Sequence, residues 1–86
     1  MKAKNCKRKI DRKAIELLGV SQSYLNTRFK AEKNRIEYEF WVRSNLDKVE
    51  AFEREVEIIA SDFKACSVFT KGNCDEGYKI FIMVRF

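Results

Sequence analysis

The sequence predicts an α+β fold: an N-terminal helical hairpin followed by a β-α-β-β unit, in which a three-stranded sheet, ordered first-third-second, carries one long amphipathic helix on one face. Three observations predict it. Apolar residues recur every three or four positions between Leu46 and Phe63, residues 36–42 alternate between the two sides of a strand, and the closing run from Tyr78 to Phe86 is apolar on both faces. With three glycines and no proline among 86 residues, few natural breaks interrupt these patterns, and the connections are short. That length suits one small core, so residues 1–86 are read as a single domain.

Ile10, Ala14, Leu17 and Leu18 fall at helical spacing, which predicts a helix over about 8–18 with Arg8, Arg12 and Lys13 outside its apolar stripe. Residues 1–9 form a basic arm that is free to flex. Gly19 can take the positive φ that ends a helix, Ser21 can cap the next one with its hydroxyl, and Val20 can pack on Leu25 to fix its entry angle. Ile36-Glu-Tyr-Glu-Phe-Trp-Val42 is a half-buried strand with Ile36, Tyr38, Phe40 and Val42 on one face and Glu37, Glu39 and Trp41 on the other. Ser44 and Asp47 have the spacing of a capping box before a helix over about 45–62, whose outer face carries Asp47, Glu50, Glu53 and Glu57.

Ala65 to Thr70 reads as a weaker strand, and Lys71-Gly-Asn-Cys-Asp-Glu-Gly77 as a hairpin loop. In the last strand Tyr78, Ile80, Ile82, Val84 and Phe86 line one face, while Phe81 and Met83 make the other apolar too, as in a strand with neighbours on both sides. Strands 36–43 and 65–70 then run parallel through a right-handed crossover, with the last strand antiparallel between them. The second sheet face, with Trp41, Phe81 and Met83, is expected to meet the N-terminal helices, a stacked base or another copy of the chain.

Charge is laid out unevenly. Residues 1–35 hold eleven basic and three acidic side chains, a net +8, whereas residues 36–86 hold seven and ten, a net −3. Such a density of cations condenses onto polyphosphate by releasing counterions; an acidic protein surface, or solubility alone, are the alternatives. The expected function is non-enzymatic nucleic-acid binding, RNA favoured over duplex DNA, with Lys7, Arg8, Lys9, Arg12, Lys13, Arg28, Lys30, Lys33 and Arg35 as phosphate contacts. Expected partners are thus nucleic acid, a possible host protein target and a second copy in a homodimer, with no membrane.

Residues 10–30 resemble the helix-turn-helix motif of DNA-binding regulators through Leu18, Gly19, Val20, Ser21 and Leu25. Departures are Ile15, where that family prefers alanine, Arg28, where it places a buried apolar residue, and the strand at 36 in place of a third helix. The resemblance implies that Gln22, Ser23, Asn26 and Thr27 face bases while Arg28, Lys30 and Lys33 reach phosphates. In its small size, basic leading third and acidic remainder, the chain also resembles the accessory proteins that bacteriophages encode against host machinery. It is similar in size and charge to the phage inhibitor of the ToxN ribonuclease toxin, a small RNA-binding protein. That likeness implies an anti-defence inhibitor that neutralises a host protein such as a ribonuclease toxin, with or without RNA; resting on size and charge, it carries no functional residue across.

Catalytic parts are not in evidence. No histidine is available as a general base, and no GxxxxGK[ST] or GxGxxG loop is present for nucleotide phosphates. Glu37 and Glu39 share a strand face on which a solvated role outweighs a metal or a catalytic pair, so no metal and no cofactor are expected. Cys6, Cys66 and Cys74 lack CxxC spacing and are read as reduced thiols of a cytoplasmic protein, with a Cys66–Cys74 bridge as the competing assignment.

Overall fold

A computed structural model of the chain describes residues 2–86. Its elements run α1 (Lys2–Leu18), α2 (Gln22–Thr27), β1 (Phe29–Glu32), β2 (Arg35–Val42), α3 (Leu46–Asp62), β3 (Cys66–Cys74) and β4 (Gly77–Arg85). The fold is α+β, with a four-stranded antiparallel sheet in the order β1-β2-β4-β3. The expected first-third-second order is present as β2-β4-β3, and β1 is an addition that turns the β-α-β-β unit into two hairpins joined by a helix.

Local sequence explains the new strand. Phe29 and Ala31 alternate with Lys30 and Glu32, and in the β1–β2 register Phe29 lies opposite Tyr38 and Ala31 opposite Ile36. The Phe29 and Tyr38 rings sit 5.2 Å apart, edge to face, so the core side of the sheet gains an aromatic pair from this short edge. Consequently α2 is only six residues long, capped by the Ser21 hydroxyl, which accepts from the Tyr24 N–H at 3.1 Å. At the other end of the sheet the expected loop over 71–77 is mostly strand: β3 runs to Cys74, and the turn is Asp75-Glu76, with Glu76 at φ 61°.

Two further boundaries move. Helix α1 begins at Lys2 rather than near residue 8, so residues 2–9 of the expected arm are helical. Helix α3 is capped by Asn45, not Ser44: the Asn45 side chain accepts from the Lys48 N–H at 2.9 Å.

All three helices pack on one face of the sheet. The core joins Ile10, Ala14 and Leu18 of α1, Leu25 of α2, Val49, Phe52, Val56 and Ile59 of α3, and the inward row Ile36, Tyr38, Phe40, Val42, Ile80, Ile82 and Val84. Burying each of the larger side chains contributes about 1.5–3 kcal/mol. Lys13 reaches Glu55 while Lys9 reaches Phe63, so α1 and α3 run in opposite directions. The N-terminal helices therefore leave the second sheet face, with Trp41, Phe81 and Met83, uncovered.

Candidate nucleic-acid interface

Helical periodicity sorts the cations of α1. Its buried stripe is Cys6, Ile10, Ala14 and Leu18, which turns Lys4, Arg8 and Arg12, four residues apart, into an outward row with Lys2 and Lys9 beside it. All five are exposed, and among the described residues none has a carboxylate within ion-pair distance. Arg8 donates to the Asn5 side chain at 3.4 Å, and the Lys9 ammonium lies 5.5 Å from the Phe63 ring centre. The first turn holds no acidic residue and the last turn no basic one, an order of charge that works against the helix dipole.

The groove between α1 and α2 is lined by Lys4, Lys7, Arg8, Asp11, Gln22 and Asn26. Asp11, almost fully buried, organises it. Its Oδ2 accepts from Lys7 Nζ at 2.6 Å and Gln22 Nε2 at 2.7 Å, and its Oδ1 from the Tyr38 hydroxyl at 2.6 Å. Asn26 Oδ1 accepts from Lys7 at 2.7 Å and Gln22 at 3.1 Å. Burial, then the bond to Asp11 and its charge, pushes the Tyr38 hydroxyl well above its ordinary pKa. Lys7 is thus committed to Asp11 and Asn26, and two of the base-facing residues of the helix-turn-helix resemblance are spent internally, Gln22 on Asp11 and Asn26, and Asn26 on Lys7 and Gln22.

The remaining candidates divide. Lys13 is paired with Glu16 at 3.2 Å and Glu55 at 3.6 Å, and its pKa is raised chiefly by the bond to Glu16. Lys30 lies 3.9 Å from Glu32. Arg35 meets Glu32 at 2.7 Å, and its Nε lies 2.8 Å from Glu37 but off the N–H axis, leaving that atom without a hydrogen bond. Arg28, whose guanidinium stands 5.3 Å from the Tyr24 ring, and Lys33, in the β1–β2 turn, have no carboxylate partner among the described residues. Of the nine candidate phosphate contacts, then, Arg8, Lys9 and Arg12 share the face of α1, Lys13 is turned to Glu16 and to Glu55 of α3, and Arg28, Lys30, Lys33 and Arg35 belong to the β1–β2 edge. Lys7, 4.9 Å from the Phe29 ring centre, lies between the two groups.

On the uncovered sheet face, Trp41, Lys79 and Gly72 form one row, Glu39, Phe81 and Thr70 the next, and Glu37, Met83 and Val68 a third. Trp41 is 38% exposed with the Arg43 guanidinium 5.9 Å from its ring. Its backbone is closed off by the Tyr24 hydroxyl, which accepts from the Trp41 N–H at 3.0 Å and donates to its carbonyl at 2.9 Å. Glu39 is drawn to Lys79 at 3.5 Å, and the described residues contain no group of three or more Cys, Asp or Glu placed to hold a metal. Lys79 and Arg85 belong to this face and escaped the sequence reading, although the alternation that selected Phe81 and Met83 includes them. Lys2 and Lys4 were left out because the arm was not read as helix.

Burial pushes the Cys6 thiol up to about 11, with Lys9 opposing. Cys66 and Cys74 are exposed and free; eight residues apart on one strand, they are about 27 Å from each other, which removes the intrachain bridge. No described helix is long and apolar enough to cross a membrane. Comparisons with protein-family models, with curated proteins and with solved structures find no match for this chain.

Proposed function

We propose that the chain is a non-enzymatic cytoplasmic nucleic-acid-binding protein that holds the phosphate backbone of RNA on the outward face of α1. The observation that carries this reading is the row Lys4, Arg8 and Arg12, flanked by Lys2 and Lys9, exposed on one rigid helix and free of carboxylates among the described residues. A cation already paired must give up its partner before it neutralises a phosphate; these five do not. Single-stranded RNA suits this surface better than duplex DNA, because the short α2 spends Gln22 and Asn26 internally and offers no reading head for a major groove.

The test is a salt titration of binding to a single-stranded RNA oligonucleotide by wild type and the triple variant Arg8→Glu, Lys9→Glu, Arg12→Glu. Three lost phosphate contacts lower the slope of log K against log salt by about 2, at roughly 0.7 for each contact on a single strand. Unchanged affinity and slope would remove the basis of the assignment.

A second reading, a phage inhibitor that occupies a host defence protein, is favoured by the uncovered sheet face with Trp41, Phe81 and Met83. Capture of one host protein that survives nuclease treatment supports it, and release by nuclease returns the weight to RNA.

A further inference from the structure

We propose that β3 is a dimerisation edge: it pairs with β3 of a second copy, antiparallel about a two-fold axis at Thr70, and joins two four-stranded sheets into one of eight strands. Edge strands in monomeric proteins are usually short, bulged, or guarded by proline or by charge, inward-pointing charge included. Of these defences β3 has only a charge, and that charge is neutralised within its own chain. It is nine residues long, its register against β4 runs unbroken from Cys66 to Cys74, and it contains no proline. Its lone charge, Lys71, leans over the core side to Glu53 of α3 at 2.7 Å.

The sequence of the strand is complementary to itself. When both copies keep their helices on the same side of the joined sheet, residues of one face must lie opposite residues of that face. All nine residues are paired only when Thr70 lies opposite its own copy. On the open face that register sets Cys66 against Cys74 and the β-branched Val68 against Gly72, where there is room for it. On the core side Ser67 meets Asn73, two groups able to hydrogen-bond, and Phe69 meets Lys71. No like charges lie directly opposite each other.

The self-complementary register favours a second copy as the occupant. Each Lys71, neutralised by Glu53 of its own α3, arrives opposite a partner Phe69 and meets no like charge. The arrangement also sets both α1 helices on one side of the sheet, doubling the outward cations. The pairing does not depend on RNA binding.

Nuclease-treated full-length protein provides the test. Sedimentation at micromolar concentrations is expected to show a dimer, and Thr70→Lys or Thr70→Glu, each placing like charges at the axis of an exposed position, to raise its dissociation constant about tenfold. Mixing the two variants restores association. With diamide added as the two-electron oxidant, two thiols giving one disulfide, Cys66→Ser alone and Cys74→Ser alone fail to cross-link, whereas their mixture yields a cross-linked heterodimer. Wild type sedimenting as a monomer, or either cysteine variant cross-linking with itself as readily as the mixture does, would overturn the proposal.

Discussion

Asp11 concentrates the risk of this fold in a single side chain. A carboxylate withdrawn from water is tolerable only while Lys7, Gln22 and the Tyr38 hydroxyl all donate to it. Asp11→Ala strands three donors and is expected to cost about 2–3 kcal/mol, seen as a lower denaturant midpoint at unchanged slope. Protonation of two core neighbours gives the fold a base-side limit. Cys6 and Tyr38 both hold their protons more tightly folded than unfolded, so their contributions are complete below the unfolded pKa and are lost as pH rises through the folded one. Stability is therefore expected to fall from pH 9.0 towards about 11 for Cys6 and above 10.0 for Tyr38. Cys6→Ala flattens the first part of that decline and Tyr38→Phe the later part, as equilibrium unfolding at a series of pH values would show. None of this was legible in the sequence: a buried network is made by residues 7, 11, 22, 26 and 38 meeting in space, and spacing along the chain does not record it.

Elements set by their own periodicity were legible. Helix α3 and strand β2 follow from their apolar spacing, and the β2-β4-β3 order follows from the two-sided apolarity of β4. What escaped was governed by turns. Lys33-Asn34 carries no glycine to announce a two-residue hairpin, so nothing in the sequence signals β1, and Glu76 takes a positive φ in front of a glycine, so the turn looks longer in sequence than it is. Gly77 is needed there for a steric reason: a Cβ on it would lie 2.2 Å from the Val42 carbonyl oxygen. Gly77→Ala is expected to cost about 1–3 kcal/mol by forcing the β3–β4 hairpin away from the end of β2, measurable by thermal or chemical unfolding. At the candidate site, composition had located the cations in the leading third, but only the helix starting at Lys2 separates the free row on α1 from the paired residues Lys7, Lys13, Lys30 and Arg35.

At the scale of the whole molecule, a one-sided core divides stability from recognition. Because every helix lies on one face, the rows through Trp41, Phe81 and Met83 are free of the helix packing that holds the fold, and Trp41→Ala is expected to leave both the unfolding midpoint and the affinity of the α1 face for single-stranded RNA nearly unchanged, measurable by thermal unfolding and by an RNA-binding titration. The end of α1 works in the opposite sense. Lys2 and Lys4 crowd positive charge where the exposed N–H groups are already positive, an unfavourable arrangement for the leading turn of the free protein. On the proposed function a polyanion settling there would supply the missing negative charge, so amide exchange at the first turn is expected to slow on addition of RNA, and Lys2→Glu with Lys4→Glu is expected to give a protein that melts later and binds less.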